Sequence, residues 1–230
     1  MDTVAVPQKN TRGIWFTVCG ALLFIALVLL LFANKFFAPS RATPQQLTSD
    51  TLKVLQIPRP LALGELIDQN GEAISAAYFT GRWNLIFFGF THCPDICPTT
   101  LFELNKAIKQ LPPMQADKIQ VTLISVDPAR DTSEQLQQYV HGFNAKFDGI
   151  TGEFLSLKKL ANSVSVPFFK VPVDHNHGKH AEHMGMANYQ VDHGSQVVVI
   201  NPNGEYHAFF NAPVKGIEVA RQIPGLMAAF

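Results

Sequence analysis

The sequence predicts an α/β domain, a sheet flanked by helices, preceded by one transmembrane helix. Three observations carry that prediction. Ile14 to Ala33 contains no charged residue, and a stretch of that length spans a bilayer core of roughly 30 Å. Further on, short apolar runs alternate with stretches of helical periodicity, the order expected of a largely parallel sheet. Finally, Trp83 to Phe90 is apolar almost throughout, as in a strand buried on both faces.

The chain has 230 residues, room for one ordinary domain and an attached segment. Lys plus Arg number 18 and Asp plus Glu number 18. That balance supplies no basic face, so no nucleic-acid partner is expected. The 18 Phe against 4 Tyr and 2 Trp imply a dense apolar core. Of the three cysteines, Cys19 lies in the apolar run, leaving Cys93 and Cys97 for the remainder. Two cysteines do not make a disulfide scaffold for a domain of this size, and a close pair points to a metal site or a redox couple.

From the N-terminus, residues 1–13 read as a short tail, 14–33 as the span, 34–60 as a tether and 61–230 as the domain. A signal peptide has a shorter apolar region and a small-x-small cleavage site, whereas Asn34, Lys35 and Phe36 follow this run. Lys9 and Arg12 precede the span and Lys35, Arg41 and Lys53 follow it, so charge bias does not orient it, and long domains translocate largely regardless of charge. An Arg- and Ser-rich transit peptide is lacking, which favours a bacterial host. Pro39, Pro44, Pro58 and Pro60 make the tether partly extended.

Within the domain, Leu61 to Ile74 reads as a hairpin turning at Gln69-Asn70-Gly71. After the strand at Trp83, Leu101, Leu104, Ile108 and Leu111 mark a helix, and Ile119 to Val126 a second buried strand. Thr132 and Gln135 form a capping box ahead of the stripe Leu136, Tyr139, Val140 and Phe143. Phe154, Leu157, Ala161 and Val164 form another stripe. Gln196–Ile200 and Glu205–Phe210 flank an Asn-Pro-Asn-Gly turn, and a last helix begins near Lys215 and is disturbed by Pro224. This is the order of a thioredoxin-like sheet.

The chemistry concentrates in Thr91-His92-Cys93-Pro94-Asp95-Ile96-Cys97-Pro98, between a buried strand and a helix. Ligands of α/β sheets gather at the carboxyl ends of parallel strands, and a helix N-terminus favours thiolate over thiol. If this stretch is helical, the i, i+4 spacing puts both sulfurs on one side. The right-handed crossover brings Asp127 to the same edge. If the strand after His193 runs antiparallel to the central ones, His193 arrives there too. Two thiolates and an imidazole form a soft set of three ligands; structural zinc usually takes four, and copper fits best. The cysteines alone leave a redox pair equally open, although a redox pair is typically C-x-x-C.

The segments Phe87 to Pro98, Ser125 to Asp131, Tyr189 to His193 and Val199 to Glu205, in that order, resemble the Sco/SenC family over about residues 61–212. The resemblance implies an anchored thioredoxin-like protein that metallates the binuclear copper site of cytochrome c oxidase subunit II. It puts the copper ligands, for Cu(I) and/or Cu(II), on Cys93, Cys97 and His193, and calls for a copper donor protein upstream. It implies an inner-membrane protein with its domain in the periplasm, or the mitochondrial equivalent facing the intermembrane space. The alternative is a thiol–disulfide oxidoreductase that reduces the cysteines of that subunit, with Cys93 and Cys97 as redox-active pair. Gly194, where many relatives carry a hydroxyl residue, is expected to loosen the His193 loop. Asp127, Arg130 and Asp131 read as a strand-ending turn with a local ion pair, and Asp95 as a docking group. Residues 174–186 hold four of the eight histidines and two of the five methionines, a polar loop or an auxiliary copper-capturing segment.

Overall fold

The computed structural model describes residues 11–37, 43–172 and 189–230, so the His- and Met-rich segment 174–186 lies outside the described residues. The chain divides into two compact units, Met1–Arg41 and Ala42–Phe230. In the first, α1 (Thr11–Phe37) is one continuous helix. Its Trp15–Ala33 stretch has a mean hydropathy of 2.8 and is unburied, long and apolar enough to cross a membrane.

The second unit begins with α2 (Pro44–Leu47) and then β1 (Leu52–Pro60). The expected tether therefore ends early: residues 52–60 belong to the sheet. Pro58 and Pro60 hid this strand, since proline argues against a central strand but is tolerated at an edge. Next come β2 (Leu66–Asp68), a 3₁₀ turn at Ala76–Phe79 and β3 (Trp83–Gly89), in which every residue is buried. The turn at residues 69–71 forms as expected, with the Gly71 N–H donating to Asp68 O at 3.0 Å. Its return arm makes the single bridge Ile67↔Ala73, with Asp68 N–H donating to Glu72 O and Ile74 N–H to Leu66 O, both at 2.9 Å.

Helix α3 (Ile96–Gln110) buries Cys97, Leu101 and Leu104. After α4 (Pro113–Ala116), β4 (Ile119–Ser125) runs parallel to β3 in unbroken register from Trp83↔Ile119 to Gly89↔Ser125. Helix α5 (Ser133–His141) starts on the expected capping box, Gln135 N–H donating to Thr132 Oγ1 and Thr132 N–H to Gln135 Oε1. Strand β5 (Asp148–Gly152) and helix α6 (Phe154–Ser163) follow, then β6 (Phe168–Pro172) and β7 (Tyr189–His193). The chain closes with β8 (Val197–Ile200), β9 (Glu205–Phe210) and α7 (Gly216–Ala229). Pro224 sits inside α7 without ending it; buried Val219, Ile223 and Leu226 hold both halves on the core.

The main sheet has seven strands in the order β1-β9-β8-β3-β4-β5-β2. β3, β4 and β5 are parallel, β8 is antiparallel to β3, and β2 pairs antiparallel with β5. The thioredoxin-like architecture is thus present. β6 and β7 form a separate two-stranded sheet. Neither was legible, because β6 carries Lys170 and Pro172 and β7 alternates only weakly. That small hairpin decides where His193 goes.

Candidate metal centre

β3 ends at Gly89, and the chain turns through Phe90–Asp95 before α3 begins at Ile96. Cys93 therefore lies in a turn, its N–H donating to Phe90 O at 3.2 Å, and Cys97 in the first turn of the helix. The expectation of one helical face for both sulfurs is corrected: proline at 94 and the N-cap geometry of Asp95 delay the helix. The sulfurs meet regardless. Cys97 is fully buried because Gly89 leaves space for it; a Cβ on Gly89 would stand 2.8 Å from Cys97 Sγ.

β8 starts at the carboxyl end of β3, with Phe87 opposite Val197, so the residues just before it arrive at the same edge. His193 projects from there. Its Nε2 lies 3.8 Å from Cys97 Sγ, and its ring meets Phe87 and Phe90 edge to face at 5.9 and 6.0 Å. His193 Nδ1–H donates to the Gly194 carbonyl at 3.1 Å, which orients the ring with Nε2 toward the sulfurs. The two Sγ atoms and the imidazole nitrogen all lie within 4.8 Å of one another. Donors about 2.0–2.3 Å from a shared ion stand roughly 3.5–4 Å apart, so little movement separates this arrangement from a closed three-coordinate site.

Both cysteines are free thiols, and they differ in character. The Cys93 thiol is pulled from 9.0 down to about 4, first by its hydrogen bond from Cys97, against the opposing effect of burial, with help from His193 and the amides of Asp95 and Cys97. Cys97 is pushed up, by sharing its proton with Cys93 and by burial. One half-exposed thiolate thus faces a cleft of about 600 Å³ that Phe90, Asp95 and Arg130 help to line, with the second sulfur behind it.

Gly194 is packed tightly. A Cβ there would come within 2.8 Å of Gln196 Oε1 and 3.1 Å of Val166 Cγ1, so Gln196 fills the space that a side chain would occupy. Asp127 and Asp131 are fully buried and lie outside the three-ligand cluster. Asp131 accepts from Thr91 Oγ1 at 2.6 Å and Ser125 Oγ at 2.7 Å, holding the start of the Cys93 turn to the end of β4. Asp127 pairs with Arg130, the ion pair read from the sequence, and accepts from Tyr189 OH at 2.6 Å. The Asp95 carboxylate is exposed and, among the described residues, meets only Thr99 Oγ1, at 3.5 Å. Phe87, Phe90 and Lys170 were missed as neighbours of the site; nothing in a buried strand or an exposed lysine announces them.

The SCO1/SenC family model matches residues 64–228. A Stutzerimonas stutzeri protein named for copper binding is 36% identical over 201 residues, covering 86% of this chain and 93% of that protein. The mitochondrial SCO2 homolog of Homo sapiens is 32% identical over 182 residues, covering 75% and 63%. Among solved structures, copper-bound ScoI of Bradyrhizobium japonicum is 32% identical with a TM-score of 0.60, covering 72% of this chain and 98% of that one. Copper-bound ScoI of Arabidopsis thaliana has a TM-score of 0.63 at 28% identity, covering 73% and 98%. With the Cys93–Cys97, Asp127 and His193 motifs gathered at one sheet edge and the match spanning nearly the whole second unit, the chain belongs to the SCO1/SenC family.

Proposed function

We propose that this protein is a membrane-anchored copper carrier. Cys93, Cys97 and His193 hold one copper ion, which the protein takes from a donor and passes to the binuclear copper site of cytochrome c oxidase subunit II. The observation that carries the reading is the meeting of two thiol sulfurs and an imidazole Nε2 within 4.8 Å. That set is soft and matches copper in either oxidation state. Three protein donors, two of them lining an open cleft, suit a cargo that must leave again. The copper-bound relatives support copper as the ion carried. α1 anchors the domain, on the periplasmic side of the inner membrane or its mitochondrial counterpart. Asp95, exposed beside Cys93, serves as a docking group for the acceptor.

Metal analysis of the reduced protein tests the reading. One tightly held copper per chain is expected, lost in Cys93→Ala and outcompeting zinc. Zinc binding as tight as copper would remove the carrier reading.

A second reading rests on one specific observation, the low-pKa thiol of Cys93 backed by a proton-sharing Cys97. That is the arrangement of a thiol–disulfide reductant, which would reduce the cysteines of the oxidase subunit before metallation. Oxidase assembly in a His193→Ala strain separates the two: a reductant needs no distant imidazole, whereas a copper carrier fails without it.

A further inference from the structure

The strand that ends in His193 shares no backbone pairing with the main sheet among the described residues. How the β6–β7 hairpin is seated therefore sets where the imidazole stands. At its root the hairpin is tied by Gly194 N–H donating to Pro167 O at 3.0 Å and by buried Phe168 and Val191. At its other end, four positions before His193, a single carboxylate does the holding. Asp127 is fully buried. It accepts the Tyr189 hydroxyl of β7 at 2.6 Å and lies 3.9 Å from Lys170 Nζ of β6. Both strands of the hairpin are thus bound to one residue at the end of β4. Arg130, the ion-pair partner of Asp127, stacks on the Tyr189 ring at 4.3 Å and on Phe90 at 5.6 Å. Lys170 covers the Tyr189 ring as well, at 4.3 Å. Phe90 in turn meets the His193 ring.

We propose that Asp127 and Tyr189 form a latch that positions His193, seating the β6–β7 hairpin so that Nε2 faces the two sulfurs. The inference rests on the three-ligand reading and deepens it: two ligands are built into the strand–helix junction, and the third is carried by a separately seated arm. Asp127 and Tyr189 are positioning residues and do not touch the metal. A buried carboxylate is tolerated when fully partnered, and here its partners come from the arm that must be held. Outer residues of this kind typically change metal affinity 10- to 100-fold.

The test uses the full-length reduced protein in detergent, with Cu(I) added against a chelator of known affinity. Tyr189→Phe removes one hydroxyl and keeps the ring under Arg130 and Lys170. It should still bind one copper per chain, about tenfold more weakly. In the metal-free protein, backbone amides of residues 168–171 and 189–193 should exchange faster by about tenfold, and the His193 imidazole proton shifts should move. Cys93 alkylation should stay unchanged, which separates a loosened arm from a damaged thiol pair. Lys170→Gln, at an exposed position, should shift the same readouts the same way but less, and serves if Tyr189→Phe folds poorly. Wild-type affinity in both variants, with or without faster hairpin exchange, would overturn the latch. His193→Ala run alongside addresses the ligand reading itself. If that variant keeps wild-type affinity, the ligand reading fails, and the latch is judged on the metal-free imidazole shifts: movement in Tyr189→Phe sustains it and no movement overturns it.

Discussion

The imidazole Nε2 of His193 lies 3.8 Å from Sγ of Cys97, across 96 positions of the chain. Two devices produce the contact. Gly89 lets the first turn of α3 press Cys97 onto β3, and the antiparallel run of β8 beside β3 returns the chain to the same edge. One depends on a missing side chain and the other on sheet topology, so each can be perturbed alone.

Replacing His193 with alanine removes one of three donors from a half-buried position and deletes little core volume. The fold is expected to survive, with a thermal midpoint near that of the wild type. Copper affinity should fall by more than about 100-fold, beyond the range of outer-sphere changes. Cys93 and Cys97 should still form and break a disulfide. Competition with a copper chelator and a thiol titration on the same sample check both halves.

The low pKa of Cys93 predicts an alkylation profile. A thiol shifted from 9.0 down to about 4 is thiolate throughout the neutral range and is protonated only as pH falls through about 4. Iodoacetamide should therefore modify Cys93 of the metal-free reduced protein at a nearly constant rate from pH 8 down to about pH 5, the rate falling only below that. Cys97→Ala removes the largest cause of the shift, so the fall should move toward the ordinary thiol range. A wild-type rate that declines tenfold per pH unit below 8 would contradict the proton-sharing pair.

Gly89→Ala should disturb the site from beneath. The added methyl would stand 2.8 Å from Cys97 Sγ and 2.9 Å from the Phe87 ring, in a core with no slack. Overpacking of this kind costs about 1–3 kcal/mol. Thermal unfolding should show that loss, and copper affinity should drop because Cys97 is displaced. Unchanged copper affinity in a folded variant would mean that the sulfur has freedom the geometry denies it.

A soluble fragment beginning at Leu61 should be markedly less stable than one beginning at Thr43. The shorter fragment loses β1, exposes the edge of β9 and removes Leu52, which is 1% exposed. Burial of one such leucine alone contributes about 1.5–3 kcal/mol. Urea unfolding of the two fragments measures the difference, and equal midpoints would show β1 to be dispensable.

Much of this protein was legible in its sequence, and the limits follow from which interactions are local. The charge-free run from Ile14 to Ala33 determined a helix long and apolar enough for a membrane, because length and hydropathy are sums over neighbours. The uninterrupted apolar character of β3, the stripe on α3 and the capping box at Thr132 are also local signals, and each element formed where it was read. Cys93 and Cys97 could be paired by spacing alone, although the turn that joins them is not the helix the spacing suggested. What lay beyond the sequence depended on partners distant along the chain. β1, with its two prolines, is a strand only because β9 offers an edge. β5 is held by β4 and β2, and β6 and β7 mainly by each other. Tyr189 gains its role from Asp127, 62 positions away. The residue types in the motifs named the candidate ligands, but they meet because a seven-stranded sheet and a separately seated hairpin bring an imidazole to two sulfurs. That convergence comes from long-range packing, which no short window of sequence encodes.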